Sequence, residues 1–75
     1  MNLDECIKFL ESSAGQYRNK LALIQETIYQ QTQAPIGMKQ RTFLVFLDRE
    51  RSVYQFALTE AESFISLMRH NGEAR

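Results

Sequence analysis

The feature that most constrains this chain is a single strong break near its middle, at residues 33–37. Pro35 lacks a backbone donor and fixes its φ angle, and Gly37 tolerates backbone conformations that other residues avoid. No other segment of the sequence combines two such residues. The break therefore predicts a turn at residues 33–38 that joins two halves of one small domain, residues 1–75.

The first half carries one apolar seam. Its members recur at alternating spacings of four and three, the heptad pattern typical of helices that pack as coiled coils. The first seam consists of Leu3, Ile7, Leu10, Ala14, Tyr17, Leu21, Ile24 and Ile28. Asn2 and Glu5 form a capping box, which predicts a helix over residues 3–32. Gly15 disfavours a helix interior by about 1 kcal/mol. Because the seam crosses it in phase, one bent helix is favoured over two helices broken there.

The second half repeats this spacing along a second seam. The pattern predicts a helix over residues 39–70, with a C-cap at Asn71 and Gly72 and a short flexible tail at residues 71–75. The second seam consists of Leu44, Leu47, Arg51, Tyr54, Leu58, Ala61, Ile65 and Met68. Only Arg51 departs from the apolar rule, and its aliphatic stem can lie along the seam while the guanidinium reaches outward.

A further row of apolar residues runs beside the second seam. Glu50 and Glu60 occupy two positions of this row, and we call its apolar members the apolar stripe: Phe43, Phe46, Val53, Ala57, Phe64 and Leu67. One antiparallel helix can cover the second seam but not the stripe as well, and a large exposed apolar patch usually marks an interface. The stripe is therefore predicted to bind a partner, with Arg49, Glu60 and Glu62 at the interface rim. Dimerisation of the hairpin into a four-helix bundle would bury it.

Two alternatives compete with this all-α hairpin. Residues 42–47 and 53–58 are rich in strand-forming side chains, so they could form a β-hairpin between an N-terminal helix and a C-terminal helix at residues 59–70. The turn between them lacks glycine and proline, which favours the helical interpretation. The second alternative is a closed three-helix monomer, in which a break at Gly15 lets two short helices cover both the seam and the stripe.

The sequence offers little material for catalysis or metal binding. It holds one cysteine, Cys6, and one histidine, His70, without any metal-ligand spacing and without a second cysteine for an internal disulfide. No pattern places a nucleophile beside a base. We therefore expect no enzyme activity, metal, cofactor or small-molecule substrate.

Charge and hydropathy narrow the possible partners. Nine basic and nine acidic side chains give a formal net charge of zero, which provides little attraction to a phosphate backbone. A weaker alternative is a small dimeric nucleic-acid-binding regulator that uses the segment 39–51, where Lys39, Arg41, Arg49 and Arg51 alternate with aromatic residues. No apolar run approaches the roughly 20 residues of a membrane span, and no secretion signal is evident, so we expect a cytoplasmic location.

These observations favour one function over the others. The sequence predicts a noncatalytic protein–protein interaction module, such as a small adaptor, chaperone or regulator. It would present the wide apolar face of its second helix to a twin, forming a homodimer, or to a larger protein partner.

Overall fold

A computed structural model describes residues 2–73 of the chain. Two helices, α1 (Leu3–Gln31) and α2 (Met38–Glu73), pack along each other as an antiparallel hairpin. The prediction of an all-α hairpin is confirmed. No strand occurs between residues 2 and 73, so the alternative with a β-hairpin at residues 42–47 and 53–58 is wrong.

α1 begins at the predicted capping box. The backbone N–H of Glu5 donates to the side-chain oxygen of Asn2 at 2.8 Å, and the Asn2 amide approaches the Glu5 carboxylate at 3.5 Å. The helix then continues through Gly15 without interruption. The three-helix alternative required a break at this residue and is therefore wrong, because one continuous helix has only one face to set against α2.

The turn between the helices closes where the proline predicts it. The N–H of Thr32 donates to the carbonyl of Ile28 at 3.1 Å, which ends α1. The carbonyl of Gly37 accepts from the N–H of Arg41 at 3.0 Å, so Gly37 is the cap from which α2 begins. Among the described residues no glycine has a positive φ, and Gly37 therefore makes the turn without a left-handed conformation.

α2 stays helical through its strand-favouring segments, where Leu47 and Leu58 of the second seam are buried against α1, and two of its serine hydroxyls bond back to the preceding turn. The Ser52 hydroxyl donates to the Asp48 carbonyl at 3.2 Å, and the Ser63 hydroxyl donates to the Thr59 carbonyl at 2.8 Å. At its far end the helix passes Asn71 and Gly72 and reaches Glu73. The predicted C-cap at Asn71 and Gly72 is wrong, and residues 74–75 of the predicted tail lie outside the described residues.

The core is a single row of side chains between the two helices. In the described part of the chain every buried apolar residue belongs to one of the two seams: Ala14, Leu21, Ile24, Leu47, Leu58, Ala61 and Ile65. The other seam residues are half-buried, except for Leu3, which is exposed at the open end, and Arg51, which is exposed and pairs with Asp48. The hairpin measures 57 × 18 × 14 Å, so it is one layer of two helices.

Candidate protein interface

The apolar stripe is open to solvent along α2. Phe46, Val53 and Leu67 are each more than half exposed, at 53%, 56% and 54%. Phe43 and Phe64 are also exposed, while Ala57 is half-buried. The structure thus brings all six stripe residues onto one continuous surface and leaves it without a cover in the described chain.

Helix geometry explains why α1 does not reach the stripe. Each residue turns an α-helix by about 100°, which places the centre of the stripe about 90° around α2 from the centre of the second seam. α1 contacts the seam, where Leu47, Leu58 and Ile65 are buried. The stripe therefore faces sideways from the hairpin, along one edge of the interface between α1 and α2.

α1 extends this apolar surface at one point that the sequence analysis missed. Phe9 is 63% exposed and lines a shallow groove of about 370 Å³ together with Ser13, Ala57 and Phe64. Phe9 lies next to the first seam at a position where one turn of α1 faces the stripe side of the hairpin. The spacing of Phe9 from the first seam indicates which side of α1 it occupies. That this side lies next to the stripe depends on the rotation of α1 against α2, which the spacing does not give.

Phe56 contributes at the outer edge of the stripe. It is 68% exposed and, with Phe64 and Leu67, lines a second shallow groove of about 230 Å³ on α2. A large aromatic residue on the outer face of a two-helix hairpin has no role in the core. Its position next to the stripe widens the apolar surface, so we define the apolar flank as the stripe together with Phe9 and Phe56.

The opposite edge of the hairpin is polar. Arg18 pairs with Glu62 at 2.9 Å, and Arg69 pairs with Glu11 at 2.5 Å, so both ion pairs join α1 to α2. The four side chains are about half exposed, and such pairs each contribute roughly 0.2 to 1 kcal/mol. Glu62, predicted at the interface rim, lies on this polar edge and not beside the stripe.

The other two predicted rim residues do lie beside the stripe. Arg49 and Glu60 are exposed on α2, and Glu60 lines both apolar grooves. Glu50 occupies a stripe position and is half-buried. On α1, the Lys20 ammonium lies 5.9 Å from the centre of the Tyr54 ring, within the range of a cation–π contact. The apolar flank therefore carries charges of both signs.

The structure does not bring the basic residues 39–51 together on one face. Lys39, Arg41, Arg49 and Arg51 are all exposed, but Arg51 is paired with Asp48. Two residues along an α-helix correspond to a rotation of about 200° around its axis. Lys39 and Arg41 therefore face nearly opposite directions, and so do Arg49 and Arg51. A continuous basic track for a phosphate backbone is absent from this segment.

The titratable and nucleophilic residues do not form a site. Within residues 2–73 no group of three His, Cys, Asp or Glu side chains could hold a metal ion. His70 and Ser66 line a polar groove of about 520 Å³ on the polar edge, but no hydrogen bond joins them, and Glu62 in the same groove is paired with Arg18. Cys6 is half-buried beside the first seam.

Comparison with known proteins leaves this surface as the main guide to function. No protein-family model, curated protein or solved structure matches the chain. Neither α1 nor α2, over the residues described, has an apolar stretch of the length needed to cross a bilayer.

Proposed function

We propose that this chain is a noncatalytic protein–protein interaction module, a small adaptor, chaperone or regulator that binds through the apolar flank of α2. The observation that carries the proposal is the run of exposed stripe residues from Phe43 to Leu67 on a hairpin with only one layer. Exposed apolar patches of this extent on a small protein mark interaction sites.

The exposed area of the free chain supports the proposal. The hairpin exposes 6004 Å², whereas a compact folded monomer of 8.8 kDa exposes about 4,800 Å². Its radius of gyration is 16.9 Å, against about 11 Å for a compact 75-residue domain. The chain therefore has a surface excess of about 1,200 Å², and a partner on the apolar flank would cover part of its surface.

The composition of the flank suits helix recognition. Affinity in such interfaces comes from a few aromatic anchors that become fully desolvated, surrounded by a polar rim. Phe46 and Phe64 are the anchors we assign, and Arg49 and Glu60 form the rim.

Since the chain cannot form an internal disulfide, its fold suits a reducing compartment, and we assign its action to the cytoplasm.

Site-specific photo-crosslinking tests this function in cells that produce the full chain. A photoreactive phenylalanine analogue would replace Phe46 on the stripe in one variant and Ser66 on the polar edge in a matched control. We expect protein adducts, with the chain itself or with another protein, from position 46 only. The same adducts should be lost when Phe64→Glu is added to the position 46 variant. Equal adduct formation at both positions, or none at position 46, would contradict the proposal.

A further inference from the structure

We infer that the occupant of the apolar flank is a second copy of this chain, with α2 packed antiparallel against α2 of the partner about a twofold axis. The inference rests on the proposed function and names the partner of that same site. The result would be a four-helix bundle with the two α2 helices at its centre.

The available area matches such a pair. Stable interfaces of standard size bury about 800 Å² on each partner, and the hairpin exposes about 1,200 Å² more than a compact monomer of its mass. The stripe runs from residue 43 to residue 67, about 36 Å of helix. A second α2 of the same length covers it from end to end.

The order of residues along the stripe fits an antiparallel twofold pair centred near residue 55. Residues whose numbers sum to about 110 then lie opposite each other. Phe46 meets Phe64 of the twin, Phe43 meets its Leu67, and Val53 meets its Ala57, while Glu50 lies opposite its Glu60. Both ends of the interface then carry the same bulky pairs, so the two helices are equally far apart at each end.

Phe56 favours this orientation independently. A twofold axis near residue 55 brings Phe56 against its own copy, which buries a side chain that is 68% exposed in the single hairpin. In a parallel pair, Phe56 of one chain would instead lie nearest to Ala61 of the other chain. Ala61 is already buried between α1 and α2, so it offers Phe56 no surface to pack against. The antiparallel pair is therefore the arrangement that buries Phe56, the outermost aromatic residue of the flank.

The charges on the flank favour the same register because Arg49 offsets an acidic pair that this register brings together. Glu50 and Glu60 sum to 110 and lie opposite each other, and Arg49, which sums with Glu60 to 109, lies beside Glu60 of the other chain as its counter-charge. A parallel pair would set Glu60 against its own copy, and residues 57–63 of α2 contain no basic side chain to offset the repulsion. Like charges held at a protein interface are unfavourable, so the orientation in which Arg49 lies beside the acidic pair is preferred to the one in which the Glu60 pair has no basic neighbour.

Distances between spin labels test the orientation directly. In a Cys6→Ser background of the full chain, single cysteines would be introduced as Thr42→Cys, near one end of the stripe, and as Gln55→Cys, near the proposed axis. An antiparallel pair places the two Thr42 positions about 40 Å apart and the two Gln55 positions within about 20 Å. A parallel pair gives short distances at both positions. Circular dichroism checks that each labelled variant stays helical.

Four outcomes decide the inference. A long distance at position 42 with a short distance at position 55 supports it, as does a decrease of about 30-fold or more in dimer affinity for Phe64→Glu. A short distance at position 42 overturns it. A labelled chain that sediments as a monomer and gives no intermolecular distance also overturns it. In that last case, photo-crosslinking from Phe46 to a different protein would leave the proposed function standing, so the two failures are distinguishable.

Discussion

The ring of Tyr17 in α1 lies 6.1 Å from the ring of Tyr54 in α2, with the two planes tilted by 42°. Both residues are half-buried and pack against the central cluster that contains Ala14 and Leu58. Tilted aromatic pairs at this separation attract each other beyond the area that they bury. Because the contact crosses the hairpin at its middle, it fixes how far α1 is displaced along α2.

This contact predicts a measurable coupling between the two tyrosines. Tyr17→Leu and Tyr54→Leu should each lower the free energy of unfolding, and the double variant should lose less than the sum of the two. We expect a coupling of about 0.5 to 1.5 kcal/mol from urea denaturation of all four proteins. Strict additivity would show that the two rings do not interact in solution.

The stripe and the second seam are predicted to respond differently to the same charge. Leu47 and Leu58 are buried, so Leu47→Glu and Leu58→Glu each bury a carboxylate without a partner and should unfold the hairpin. Phe46→Glu and Phe64→Glu place the charge on exposed positions and should retain most of the helical signal by circular dichroism. They should nevertheless weaken self-association by sedimentation. If all four variants unfold equally, the stripe and the seam form a single core.

Gly15 offers a test in the stabilising direction. A Cβ at this position would meet nothing within 4 Å, and the residue lies in the interior of α1 with an ordinary helical φ. Gly15→Ala should therefore raise the free energy of unfolding by up to about 1 kcal/mol. Gly37→Ala is the matched control and should lower it, since alanine is a poor N-cap, whereas the 2.7 Å approach of its Cβ to the Gln40 side-chain oxygen is relieved when the end of that flexible side chain moves. A loss of stability in Gly15→Ala would contradict this description of α1.

The polar edge is predicted to contribute little to stability and nothing to association. A double-mutant cycle with Arg18→Ala and Glu62→Ala should give a coupling of about 0.2 to 1 kcal/mol that shrinks as salt is added. The solution mass should not change in any of these variants. If Glu62→Ala weakens association as strongly as Phe64→Glu does, the interface extends to the polar edge.

Much of the hairpin could be predicted because one physical pattern determines it. The three-and-four spacing of the seams placed Leu21, Leu47 and Ile65 in the core, and all three are buried. The same spacing, in phase across Gly15, predicted that the helix continues there. The single proline at residue 35 was enough to locate the turn.

Other features depend on how the two helices are rotated against each other, and spacing alone does not fix that rotation. The ion pair of Arg18 with Glu62 and the position of Phe9 beside Phe64 follow from this rotation. The end of α2 was also misplaced. Gly72 favours a cap only weakly, and its helical cost of about 1 kcal/mol did not stop the helix before Glu73.

Burial of the apolar flank by a second copy of this chain predicts a dimer in solution. Sedimentation equilibrium of the full chain and of Phe64→Glu, over a wide range of protein concentration, tests it most directly. We predict the mass of two chains for the unmodified protein and the mass of one chain, still helical by circular dichroism, for the variant. An unmodified protein that sediments as one chain at every concentration would contradict the claim.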